Sequence, residues 1–173
     1  MKTDLRPAPR ESLHEEMRNI IEETRVILPG IQALFGFQTI AVFNDHFGDL
    51  PEFARDCHLA GLSMVVISIA LIVFPAVYYR YVGSDYLYPQ MLSTSTRMIR
   101  AALFFLAAGL SLDMFTVIFA ATDHVLASVI GAAMSMSLLL ALWFMLPIAA
   151  RRAARRRGPN TNASAPVPAS FKE

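Results

Sequence analysis

Four long apolar stretches, separated by short polar segments, dominate the pattern of this chain. They cover about residues 26–43, 59–79, 98–121 and 125–150, and Asp113 is the only acid within them. A helix needs about 20 mostly apolar residues to cross roughly 30 Å of hydrocarbon. Open strands would leave backbone groups unpaired in lipid. The pattern therefore predicts an all-α fold, an integral membrane bundle of four transmembrane helices.

Polar segments flank the predicted transmembrane domain, residues 26–150, on both sides. Within residues 1–25, the capping-box spacing of Ser12 and Glu15 and an apolar face at helical intervals predict a short amphipathic helix. This helix either lies on the membrane surface or extends the first span, and Pro29-Gly30 marks a kink or a new start. Residues 151–173 begin with a basic cluster, and their Pro, Ala, Ser and Asn from Gly158 onward predict a disordered tail.

Composition narrows the class of protein. Hydrophobic residues make up 55% of the chain and charged residues 17%, whereas a soluble domain has about 25% charged residues. The net charge of +1 gives no reason to expect a nucleic-acid partner. The charged N-terminus has no apolar core, so we expect no cleavable signal peptide. The single cysteine, Cys57, excludes an internal disulfide.

Lys and Arg residues are concentrated on one side of the predicted membrane domain. Arg55 is the only Lys or Arg between spans one and two, and the turn 122–124 has none. The positive-inside rule therefore predicts cytoplasmic N and C termini in a multi-pass protein of the cell (inner) membrane, with the lipid bilayer as its first partner. The cluster after span four is expected to be a membrane-interface anchor. It consists of Arg151, Arg152, Arg155, Arg156 and Arg157.

Asp113 is the first candidate for a functional site. It lies about ten residues before the outer end of span three, hence roughly 15 Å into the bilayer. An ionisable group at that depth is costly and is a functional-site hypothesis by default. The other spans have polar groups at similar estimated depth, so the sequence predicts a polar cluster at the bundle centre. The further candidate members are Gln38, Thr39, Ser68 and Ser135.

Three interpretations of this cluster stay open, and one of them is a contact with lipid or a small ligand. Asp113 either serves as interhelical glue, protonated and hydrogen-bonded to a neighbour, or handles protons or cations. Glue is preferred because the spans hold no second acid, His or Lys. His46, His58 and His124 fall near the outer ends of the spans. They are expected to form a wet membrane rim rather than a cation site or a pH sensor, and their spacing indicates no metal site.

The segment around span one resembles a known family. Residues 23–37 read ETRVILPGIQALFGF, which is similar to the opening signature of domain-of-unknown-function family 6328. Residues 75–80, PAVYYR, resemble the family's Pro-Ala-x-x-His-Arg, with Tyr79 in place of the His, and residues 142–152 resemble its ending. The resemblance covers roughly residues 15–152. It implies a small bacterial four-span membrane protein of uncharacterised activity, of a kind often labelled a sodium:proton antiporter.

These observations lead to two expected classes of function. The first is a structural or regulatory membrane protein that forms a homo-oligomer or binds a membrane-protein partner, because spans three and four have faces of Gly, Ala and Ser. The second is a small proton-coupled or cation (sodium:proton) transporter that uses Asp113. No nucleophile, base and orienting group converge in the sequence, so we expect no enzyme. The sequence indicates no cofactor.

Overall fold

The computed structural model describes residues 10–82 and 89–156, and within these ranges every long element is a helix. The four principal helices are α1 (Arg10–Val42), α2 (Glu52–Val82), α3 (Pro89–Thr122) and α4 (Val125–Leu140). A π-helical turn, Ala141–Met145, joins α4 to α5 (Leu146–Arg156), and a 3-10 turn, Asp45–Phe47, lies between α1 and α2.

Four helical stretches are long and apolar enough to cross a membrane. They are Glu15–Val42, Glu52–Tyr81, Gln90–Thr122 and Val125–Ala150. The predicted all-α fold with four candidate spans is thereby confirmed. The helices exceed the predicted spans at most ends, because helix formation continues into polar sequence where hydropathy no longer marks a boundary. The predicted disordered tail, from residue 158 onward, lies outside the described residues.

The predicted N-terminal helix is helical, and it is continuous with the first span. α1 continues through Pro29 and Gly30 without a break. Buried side chains recur along it at seven-residue intervals, at Met17, Thr24 and Ile31. Seven residues are about two helical turns, so α1 presents one face to the rest of the bundle from Met17 to Ile31. Of the two arrangements expected for this segment, the structure has the extension of span one.

The α2–α3 hairpin forms the centre of the molecule, and α1 and α4 pack on it. At its closest point, a Cβ added to Gly61 would lie 3.1 Å from the backbone oxygen of Gly109, and one added to Gly109 would lie 2.9 Å from that of Gly61. Only glycine allows two helix backbones to approach so closely. This contact fixes how α2 and α3 are rotated toward each other.

The two ends of the bundle differ. The turn end, as we call it, holds the connections 43–51 and 122–124, and the tail end lies opposite. An apolar core of Ile31, Val65, Ile72, Ala102 and Leu106 occupies the interior, and Trp143 packs against it. α4 contacts mainly α3 and buries only Ser128 among its residues. Its remaining apolar surface is of the kind that a lipid-facing helix displays.

Candidate functional site

A histidine and an aspartate form a largely buried pair between α2 and α3. His58 Nδ1 lies 3.0 Å from Asp113 Oδ1, and the two side chains are 7% and 14% exposed. His58 lies about 9 Å from the start of α2, on its second turn. Gly61, one turn further along, makes room for Asp113, because a Cβ there would lie 3.1 Å from Asp113 Oδ1.

Gln38 brings α1 into the same site. Its side-chain Nε2 donates to Asp113 Oδ2, and its backbone carbonyl oxygen lies 3.0 Å from His58 Nε2. Three helices therefore each contribute one residue to a single hydrogen-bonded cluster. Within the described residues, Gln38 Oε1 has no hydrogen-bond partner, and Asp113 Oδ1 has none besides its contact with His58.

The carbonyl of Gln38 determines the tautomer of His58. A carbonyl oxygen only accepts hydrogen bonds, so His58 Nε2 carries a proton. A neutral His58 then has a lone pair on Nδ1, facing Asp113 Oδ1 at 3.0 Å. That contact is attractive only with one further proton between the two atoms, either on the imidazole or on the carboxylate. The cluster is thus built to hold one proton.

An open cleft of about 580 Å³ at the turn end reaches His58. Its inner wall includes His58, Thr116 and Phe119, all buried. The ring of Phe47, from the turn after α1, packs edge-to-face on His58 with centroids 5.4 Å apart. Asp113 does not line the cleft. His58 is therefore the member of the pair that stands between the cleft and the carboxylate.

A family model described as a family of unknown function (DUF6328) matches residues 7–147. The chain belongs to this family. The match includes Gln38, His58 and Asp113, as well as the cleft. No curated protein and no solved structure matches the chain.

The opening signature of the family divides between two faces of α1. Leu28, Leu34 and Phe35 pack against the apolar core, whereas Glu23 and Gln32 are exposed. Three apolar residues of the signature therefore support packing in this family member. Its last apolar residue, Phe37, is instead exposed (72%), as the polar residues Glu23 and Gln32 are.

The structure brings two of the five predicted cluster members together. Asp113 and Gln38 are in direct contact. Thr39 is the neighbour of Gln38 in sequence, but its hydroxyl donates to Phe35 O within α1. Successive residues of a helix point about 100° apart, so only one of the two can face Asp113.

Ser68 and Ser135 lie apart from the cluster. Ser68 is fully buried, but it is about 15 Å further along α2 than His58, and its hydroxyl has no hydrogen-bond partner within the described residues. Ser135 is half-buried on α4, and no hydrogen bond joins it to Asp113 in the part of the chain that the structure describes. The depth estimate for Ser68 was wrong because α2 begins at Glu52, about two turns before the predicted start of span two.

The prediction that His58 belongs to a wet rim was wrong. Its side chain is buried and faces α3, because α2 already begins at Glu52, one to two turns before the predicted start of span two. A signal existed in the sequence: Ala54, His58, Gly61 and Ser68 follow a helical stripe of small and polar residues, and all four are buried. The expectation holds for His46, whose side chain is 93% exposed.

The cluster lies close to the turn end of α1 and α2. The hydroxyl of Thr116, one turn from Asp113, lies 3.3 Å from Ala54 O near the start of α2. α3 thus extends beyond α2 at the turn end. The depth of Asp113 in the bilayer stays a prediction.

The predicted membrane-interface anchor lies mostly on α5. Arg151, Arg152, Arg155 and Arg156 fall within this helix, and Arg152 is exposed. Arg157 lies outside the described residues. Within residues 10–82 and 89–156, no group of three or more His, Cys, Asp or Glu residues has a metal-binding arrangement.

Proposed function

We propose that this membrane protein is a small proton-coupled transporter whose proton-binding site is the His58–Asp113 pair. The observation that carries the proposal is the facing of His58 Nδ1 and Asp113 Oδ1 at 3.0 Å, with Nε2 already bound to a carbonyl. Loss of the shared proton leaves the pair with a net negative charge, and Asp113 Oδ1 then faces the lone pair of His58 Nδ1. Gln38 still donates to Asp113 Oδ2, but a buried charge with no opposite charge beside it is strongly unfavourable. In our proposal, deprotonation is therefore coupled to helix movement or to the arrival of another cation.

Assembly was the preferred class from the sequence because Asp113 lacked a second titratable group within the spans. His58 supplies that group. Histidine is the side chain that ordinarily changes charge between about pH 5 and 8. A buried His–Asp pair is therefore better suited to exchanging a proton than a lone protonated carboxyl that serves as glue.

Access to the pair is one-sided. The cleft reaches His58 from the turn end, whereas Val65, Ala102 and Leu106 are buried between the pair and the tail end. A transporter that works by alternating access needs a second state in which the closed side opens. In our proposal, α1 moves relative to the α2–α3 hairpin, because its Gln38 holds the pair from outside the hairpin.

We infer that the tail end faces the cytoplasm of a bacterial inner membrane, so that the cleft opens to the outside. The turn end has a single basic side chain, Arg55. The positive-inside rule relates such an asymmetry to orientation. The basic residues described in the tail half are Arg18, Arg25, Arg80, Arg97, Arg100 and Arg152.

Proton flux in proteoliposomes tests the function. Wild type, Asp113→Asn and His58→Gln would be reconstituted at matched amounts, with a sodium or potassium gradient and a pH-sensitive dye inside. His124→Gln is the matched control, because His124 is exposed at the same end of the molecule and does not line the cleft. We expect flux in wild type and the control and none in the other two variants. Equal flux in wild type and folded Asp113→Asn, or none in wild type, would leave the pair as structural glue.

A different observation supports self-assembly as a second function. Gln32 is exposed within the apolar part of α1, and a Cβ added to Gly36, one turn away, would meet nothing within 4 Å. An amide without a partner in hydrocarbon costs about 4–8 kcal/mol. The same amide from a second copy would satisfy it, and the glycine would let that copy approach.

Cysteine crosslinking in membranes tests this second function. Ile40→Cys in a Cys57→Ser background keeps Gln32 and Gly36. Ile40 is 66% exposed and lies one turn from Gly36, so we expect disulfide-linked dimers. Leu126→Cys on α4, whose native residue is 74% exposed, is the control and should not form them. If Ile40→Cys gives no more dimer than Leu126→Cys, the α1 face is a lipid-facing surface and not an interface.

A further inference from the structure

The walls of the cleft at the turn end are mainly apolar. Its volume of about 580 Å³ falls within the range of small-molecule sites, about 300–1,000 Å³. The rings of Phe47 and Phe119 line it, together with aliphatic side chains. The aliphatic lining residues are Ala41, Leu50, Pro51, Val117 and Ala120. A ligand that fills this space has a large apolar surface.

The charged groups at the cleft favour a ligand with a positive charge. Asp49 and Asp123 line it, and among the described residues no Lys or Arg does. Asp49 lies 3.5 Å from His46, which neutralises it only when protonated, and both are exposed. Clefts with acidic, low-dielectric walls concentrate cations. Aromatic rings within about 6 Å of a cation add a further attraction.

The inner wall links such a ligand to the proton. With its shared proton, the His58–Asp113 pair is neutral overall, and without that proton it is negative. Three groups surround His58: Asp113 from α3, the backbone carbonyl of Gln38 from α1, and the ring of Phe47 from the turn after α1. The other titratable groups along the cleft are His46, Asp49 and Asp123. A cation in the cleft is therefore favoured when the pair has lost its proton.

We propose that the cleft binds a lipophilic organic cation, and that this cation and the proton of the His58–Asp113 pair displace each other. The proposal rests on the proposed function and names its substrate class. The ligand combines an apolar body, matched to the aliphatic and phenyl walls, with one delocalised positive charge near Asp123. One proton leaves the pair for each cation bound.

Calorimetry on the full chain in detergent tests the proposal with tetraphenylphosphonium as the probe. Tetraphenylborate has the same shape and the opposite charge, so it serves as the control ligand. We expect the phosphonium to bind at pH 8 and about tenfold more weakly at pH 5.5, and the borate not to bind. Titrations at pH 5.5 in two buffers of different ionisation enthalpy count the protons released, and about one per cation is expected at this pH, where the pair still holds its proton.

Variants separate the site from general apolar binding. Asp123→Asn should weaken phosphonium binding about fivefold, as expected for loss of one nearby charge. Asp56→Asn is the control, because Asp56 is an exposed acid at the same end that does not line the cleft, and its affinity should match wild type. Asp113→Asn should bind without releasing a proton.

The possible outcomes distinguish this inference from the proposed function. Equal binding of phosphonium and borate, or equal effects of Asp123→Asn and Asp56→Asn, would overturn the cation site. Phosphonium binding without proton release would overturn the exchange. Proton flux that depends on Asp113, with no phosphonium binding, would overturn the inference and leave the proposed function standing.

Discussion

Two histidine–aspartate pairs lie at the same end of the molecule, and they differ mainly in what surrounds them. His46 and Asp49 are 3.5 Å apart with side chains 93% and 81% exposed, whereas His58 and Asp113 are 3.0 Å apart with side chains 7% and 14% exposed. Water screens the first pair and solvates either partner alone, so the contact contributes little. The second pair is largely buried among three helices, and only His58 reaches the cleft. Removal of one partner therefore leaves the other without its counterpart in a site that water solvates poorly.

The surroundings of the two pairs, and not their residue types, make them different. His46 is three residues from Asp49 on one turn, and both side chains point into solvent. His58 and Asp113 are on different helices, and a third helix closes over them through Gln38. A proton lost from the exposed pair goes to water at no structural cost. A proton lost from the buried pair changes the stability of a contact among three helices.

The largest expected effect is that of breaking the buried pair. His58→Leu at pH 8 leaves the Asp113 carboxylate without its partner, and we expect a loss of about 3–5 kcal/mol in the free energy of unfolding. Unfolding in mixed detergent micelles, followed by circular dichroism, measures it. His46→Leu is the matched change at the exposed pair. Equal effects of the two substitutions would contradict the comparison.

The next effect concerns the close backbone contact that positions the buried pair. Gly109→Ala places a Cβ 2.9 Å from the backbone oxygen of Gly61. A backbone atom cannot move aside cheaply, so we expect a destabilisation of about 1–3 kcal/mol by the same unfolding measurement. Gly30→Ala is the control, since its Cβ would meet nothing within 4 Å. A Gly109→Ala variant as stable as Gly30→Ala would show that the helices can separate there without cost.

A smaller effect on stability, with a clear spectroscopic signature, is expected for Asp113→Asn. An amide NH₂ can donate to the Nδ1 lone pair of a neutral His58, so we expect a cost near 1 kcal/mol. Nitrogen NMR of labelled histidine at pH 7 should find His58 protonated at Nε2 and unprotonated at Nδ1 in this variant. The His46 signals should match those of wild type. Identical His58 signals with and without Asp113 would refute the shared proton.

The smallest effect is expected at the exposed pair itself. Asp49→Asn should change the free energy of unfolding by less than about 0.5 kcal/mol, because water replaces the lost contact. The same detergent unfolding measurement, repeated at high salt, checks it. A change as large as that of His58→Leu would mean that the turn after α1 stabilises the bundle in a way that its exposure does not reveal.

Much of the architecture was predictable because hydropathy is a local property. A span must be apolar over about 20 residues whatever it packs against, so the four helices follow from composition along the chain. Asp113 was identified for the same reason, as an acid in an apolar run. Helix ends were less predictable. α2 begins at Glu52 and not near Leu59, because polar residues continue a helix as readily as apolar ones do.

The sequence by itself determined four membrane helices and the costly carboxylate at Asp113, since lipid imposes those constraints on each segment separately. Only the tertiary structure decided that His58 faces Asp113. Which way a helix turns depends on its neighbours, and here the contact of Gly61 with Gly109 sets the rotation of α2 against α3. That rotation, with α1 placing Gln38 across the hairpin, buries one histidine and leaves another in water.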